Sequence, residues 1–148
     1  MEAVAAGAEL VMVTNSAAST PNLPAFSNYG GHKKKFLAAG AQIWEYQRAD
    51  SIHGKSLVID GRLSAVGSLN MDDRSFYIDT ETMLLIDSPQ FAAQLTGVME
   101  DIRANSLQGG PEGGYRPSET VQPLEVPAAK LRLLKVVYVL LRPIQFLL

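Results

Sequence analysis

The chain has 148 residues, 47% hydrophobic and 19% charged, which fits a single domain able to bury a core. Its formal net charge is −2, so the basic face of a dedicated nucleic-acid binder is not expected. With no cysteine, a disulfide framework and cysteine-based metal sites are excluded.

Met1 to Gly7 lack the basic flank and sustained apolar core of a signal peptide. They read as the last turns of a helix feeding a strand over Leu10–Thr14, which is how a chain that is half of a longer protein would begin. A polar loop with Pro21 and Pro24 leads to a helix from about Ala25 to Ala39, ended by Gly40. Gly30-Gly31 weaken its middle. His32, in Gly-Gly-His-Lys-Lys-Lys, reads as solvated helix surface, since lysine-rich runs are exposed. A strand over Gln42–Tyr46 follows. Ser56–Asp60 and Leu63–Val66 form a hairpin about Asp60-Gly61-Arg62, because glycine accepts the positive φ of a tight turn. Thr80–Ile86 is another strand, apolar on both faces and so expected at the centre of a sheet. Ser88-Pro89 opens a helix to Arg103 with Phe91, Leu95, Val98 and Ile102 on one face. The alternation predicts an α/β fold, a mixed β-sheet flanked by helices.

Residues 105–127 hold four Gly and four Pro, a linker composition, dividing a lobe over 1–104 from a C-terminal amphipathic helix over 128–148. Arg132, Lys135 and Arg142 fall within about 80° of one another on that helix, with Leu133, Leu134, Val136, Val137, Leu140 and Leu141 on the other side. The uncharged run Val136 to Leu141 is far short of the ~20 residues of a membrane span. Two readings stand: a helix docked on the body, or a basic amphipathic helix lying on a lipid surface.

The chemistry concentrates between His53 and Asn70, which read H-x-K-x4-D-x6-G-S-x-N. At roughly 5% per specified residue type, a chance match is on the order of 10⁻⁸ per position, so the pattern is a site and not background. Were the first hairpin strand to begin near Ile52, His53 and Lys55 would point to one face and converge on one phosphate. Gly67 would admit close backbone approach to a ligand, and Ser68 and Asn70 would add neutral donors. Glu81 is the candidate to fix the tautomer of the His53 imidazole. Asp60, at the turn, is grouped with the catalytic set, with the alternative that it holds the loop by an Asx-type bond. No residue cluster is spaced for zinc or magnesium.

These residues resemble the second HKD motif of the phospholipase D superfamily. The match is close from His53 through Glu81, including Asn70-Met-Asp-Asp-Arg-Ser75, and looser at Val11, Thr14-Asn15-Ser16 and Gly40 to Tyr46. Together they look like the C-terminal half of a bacterial cardiolipin synthase-type enzyme. The resemblance implies one lobe of the phospholipase D fold and phosphatidyl transfer between phospholipids through a phosphohistidine, with no metal or cofactor. It assigns His53 as nucleophile or acid/base, Lys55 and Asn70 as phosphate ligands, Ser68 as an auxiliary donor and Glu81 as the orienter of the histidine. The alternatives are phospholipase D-type hydrolysis and a catalytically idle lipid-binding lobe. The idle lobe would need a broken motif, and the motif is intact. Such enzymes use two histidine motifs and this chain carries one, so the expected partner is an N-terminal lobe with a first motif, or a second copy. The expected setting is peripheral, on the cytoplasmic face of the bacterial inner membrane, with phospholipid as substrate.

Overall fold

The computed structural model describes residues 2–111, 113–141 and 143. A short α1 (Glu2–Ala5) precedes β1 (Val11–Asn15), α2 (Leu23–Ala38) and β2 (Gln42–Tyr46). Next come β3 (Lys55–Ile59), β4 (Leu63–Gly67), α3 (Asp73–Tyr77), β5 (Met83–Asp87) and α4 (Pro89–Arg103). The chain continues with β6 (Ser106–Gln108) and α5 (Ala128–Leu141). The α/β class with flanking helices is as expected, and the strands divide into two sheets. One is mixed, in the order β1-β2-β6, with β1 parallel and β6 antiparallel to β2; the other is the antiparallel meander β3-β4-β5. Helix α4 packs against strands of both.

Local chemistry explains the helix starts. The Asn22 side chain caps α2 by accepting from the Ala25 N–H at 3.1 Å, and Pro24 is tolerated because a first-turn N–H has no partner to lose. The helix therefore starts earlier than Ala25. Ser88 caps α4 in the same way, accepting from the Phe91 N–H at 3.3 Å. The inner side of α4 centres on Ala92, which is fully buried, while Val98 is exposed. Val98 thus departs from the expected apolar face: it sits at the edge of that stripe, beyond the reach of the sheets.

Burial corrects a second expectation. β5 is an edge strand and not a central one; Leu84 and Leu85 are 62% and 67% exposed. An apolar strand reads alike whether its own chain or another surface covers it. α3 and β6 had no counterpart in the sequence reading. The first residues of the 105–127 stretch form β6, pairing Ser106 with Tyr46 and burying Leu107. Further along, the Tyr115 hydroxyl donates to Glu45 at 2.6 Å and the Leu124 N–H to Gln47 Oε1 at 2.9 Å. This stretch is strapped to the body.

Glu45, 4% exposed, gathers that strap and α2 onto β2. It accepts from the Tyr29 hydroxyl at 2.7 Å and from the Lys33 ammonium at 2.6 Å, besides Tyr115. A buried carboxylate is tolerable only when satisfied like this. Burial first, then the neighbouring carboxylate, pushes the Tyr29 and Tyr115 phenols well above their ordinary range. Helix α5 lies on α2. Met1, Arg142 of the expected cationic stripe, and residues 144–148 of the expected helix lie outside the described residues.

Candidate active site

His53 is in the loop entering β3, not on the strand, so strand alternation does not relate it to Lys55. A different device positions it. Asn15, at the carboxyl end of β1, grips the backbone of Ile52 twice: its Nδ2 donates to the Ile52 carbonyl at 2.8 Å and its Oδ1 accepts from the Ile52 N–H at 3.0 Å. The Lys55 ammonium donates to the His53 carbonyl at 2.8 Å, holding the cation beside the loop that bears the imidazole. The His53 side chain is exposed.

Lys55 pairs with Gly67 on β4, and Gly67 with Met83 on β5, so these three form one row across the sheet. Ser68 and Glu81 flank that row. The Ser68 hydroxyl donates to the Glu81 carboxylate, and its oxygen accepts from the Thr82 N–H at 3.1 Å. The one hydroxyl proton of Ser68 thus serves Glu81 here and not an open position. Among the described residues Glu81 makes no hydrogen bond to His53. Asn70 donates to the Ser75 hydroxyl at 3.3 Å, while Ser75 is fixed in turn by the Asp72 cap of α3 at 2.8 Å. His53, Lys55, Gly67, Ser68, Glu81 and Met83 all belong to one end of the antiparallel sheet.

Two expectations need correction. Asp60 sits at the opposite end of the hairpin, five residues beyond Lys55, or roughly 17 Å at the rise of an antiparallel strand. Its φ of +50°, followed by +62° at Gly61, suits the primed turn that matches strand twist. The turn is closed by the backbone bond from Arg62 N–H to the Ile59 carbonyl at 3.0 Å, with no Asx bond among the described residues. Asp60 is therefore apart from the His53–Lys55 group. Gly67, in turn, is not an approach point for ligand. A Cβ there would lie 2.0 Å from the Thr82 carbonyl oxygen and 2.9 Å from Met83 Cα; the missing side chain lets β5 lie against β4.

Asn15 escaped the sequence reading as a positioning residue. Its signal was a polar residue at the carboxyl end of a strand paired in parallel, where α/β sheets place their sites. Ser75 gave none, since its contact to Asn70 depends on α3 folding back.

The site lies open. On the face of the sheet shared with Lys55, Leu57, Ile59, Leu63 and Leu85 are all exposed. Beyond the motif, Phe76, Tyr77 and Ile78 are exposed too. Charge stabilisation of a phosphoryl group gains most where water is excluded; Leu57 and Leu85 lie one row in from the Lys55 row without covering it, while Ile59 and Leu63 lie at the turn end of the same face.

A family described as "Cardiolipin synthase, PLD-like domain" matches residues 1–103. An uncharacterized protein of Helicobacter pylori is 32% identical over 111 residues, 66% of this chain and 22% of that protein. Cardiolipin synthase A of Erwinia tasmaniensis is 40% identical over 72 residues, 49% of this chain and 15% of the relative. Cardiolipin synthase A of Yersinia pseudotuberculosis is 38% identical over 84 residues, 56% of this chain and 17% of the relative. The matched segments span less than a quarter of each of these relatives.

Proposed function

This chain belongs to the cardiolipin synthase, PLD-like domain family, and we propose that it supplies one half of a phospholipid phosphodiester site working by phosphatidyl transfer. The observation that carries the proposal is the Lys55 ammonium locked at 2.8 Å to the His53 carbonyl, at the sheet end that holds the Ser68–Glu81 pair. A ring nitrogen of His53 attacks phosphorus, and the bond to the leaving alcohol breaks. A second histidine, from a complementary lobe or another copy, gives that alkoxide its proton. The same histidine then takes the proton of an acceptor hydroxyl, whose oxygen attacks phosphorus and releases His53. Lys55 and Asn70 bear on the equatorial oxygens; Glu81, which bonds Ser68 and not His53 in the lone chain, turns to the imidazole when a complementary lobe closes the site. Positioning and charge compensation carry most of the rate.

The uncovered apolar face beside Lys55 supports the need for a second lobe: covering it would also exclude the water that turns transfer into hydrolysis. In the assembled enzyme, His53→Ala should abolish transfer from phospholipid to an alcohol acceptor, and the acid-labile phosphoryl adduct should map to His53. Retention of a tenth of the parent rate by His53→Ala would overturn this reading. Choline or glycerol release without alcohol transfer, with the adduct still formed, would assign hydrolysis instead.

A further inference from the structure

Among the described residues, one side of helix α5 is free. It is held to the body by Lys130, whose ammonium donates to the carbonyls of Ala18 and Thr20, both at 2.9 Å. Leu134 is buried, and Tyr138 lies against Gly31 of α2. At 100° per residue these three fall within about 80° of one another. The outer side carries Val136, Val139 and Leu140, 52%, 67% and 69% exposed, as one apolar strip, with Leu133, 48% exposed, beside it. Arg132 stands within that strip and Lys135 at its edge, both exposed and without an ion pair among the described residues. No acidic residue occurs after Glu125. Helix α2, on which α5 lies, adds exposed Lys34 and Lys35. On α5 itself an overall acidic chain thus sets positive charge beside an exposed apolar row.

We infer that the outer side of α5 is a docking surface for an anionic lipid bilayer, with Val136, Val139 and Leu140 entering the acyl boundary and Arg132 and Lys135 meeting headgroup phosphates. The helix docks on the body and lies on lipid at once, by two different sides. An apolar strip with cations in and beside it is what an interfacial helix needs, and the anionic surface draws each cation. A second copy is a poorer occupant, since a two-fold contact would bring like charges of the two helices together. The inference deepens the lipid reading of the His53 site, but it rests on a separate surface and is tested separately.

The test is sedimentation of the 148-residue chain with vesicles of phosphatidylglycerol and phosphatidylethanolamine, against phosphatidylcholine alone, at low and high salt. Binding should favour the anionic vesicles and fall with salt. Arg132→Gln with Lys135→Gln should weaken it by roughly tenfold or more. Val136→Ser with Leu140→Ser should weaken it comparably, with an unchanged melting temperature, because those side chains face away from α2. His53→Ala should bind like the parent, so loss of chemistry and loss of docking are told apart. Equal binding by all variants, or equal binding to neutral vesicles, would overturn the proposal. So would a lower melting temperature or a lower solution mass for the serine variant, which would place that side in a protein contact.

Discussion

Replacing Gly67 with alanine tests how tightly β5 is pressed onto β4. The added Cβ would stand 2.0 Å from the Thr82 carbonyl oxygen, 2.6 Å from Met83 Sδ and 2.9 Å from Met83 Cα. The sulfur can swing away, but two of those atoms are backbone and move only with their strand. Separating the strands by more than 1 Å or so breaks the bond from Ser68 N–H to the Thr82 carbonyl, now 3.0 Å. Overpacking costs about 1–3 kcal/mol and the lost bond about 1 kcal/mol, together about 2–4 kcal/mol. For a chain of this size that lowers Tm by about 10 °C. Thermal unfolding followed by circular dichroism, with Gly54→Ala as the control, measures it. Among the described residues a Cβ on Gly54 would meet nothing within 4 Å, so that variant should stay within about 0.5 kcal/mol of the parent. Equal melting of the two variants would refute the argument from strand approach. Because Thr82 also donates to Ser68, the alanine should disorder the Ser68–Glu81 pair and cost activity in the assembled enzyme as well.

The buried Glu45 cluster gives a stability prediction with a defined pH window. Glu45→Leu should destabilise by about 3–5 kcal/mol, because it leaves the Lys33 ammonium, 19% exposed, without its carboxylate. The raised phenols of Tyr29 and Tyr115 mean that the unfolded chain ionises first, so stability should decline as pH rises past about 10 and through their higher folded values. Urea unfolding of the Tyr29→Phe, Tyr115→Phe double variant should show a flatter decline. Asp60→Asn, at the far turn, should leave activity of the assembled enzyme within about twofold; a tenfold loss would return Asp60 to the catalytic set. Finally, the chain as a demonstrated monomer should be inactive, since one histidine cannot both attack phosphorus and protonate the departing alkoxide. Light scattering run beside a phosphodiesterase assay checks it, and robust monomeric turnover would refute it.

Short-range chemistry is legible in the residues alone. The H-x-K and G-S-x-N groups, the Asp60-Gly61 turn, the Ser88-Pro89 helix start and the α/β alternation each depend on neighbours a few residues apart. Features that depend on distant pairing emerge only once the chain is folded. Whether Leu84 and Leu85 are covered is a matter of sheet order, which places β5 at an edge. Asp60 left the site because a hairpin carries its turn away from its ends, and the spacing in the motif does not record that distance. Gly67 is glycine for the sake of Thr82, a strand away. Three residues as unremarkable as Ser106-Leu107-Gln108 become β6 only because β2 offers a free edge. Which side of α5 docks is set by Lys130 reaching Ala18 and Thr20 more than a hundred positions earlier, a contact no periodicity encodes.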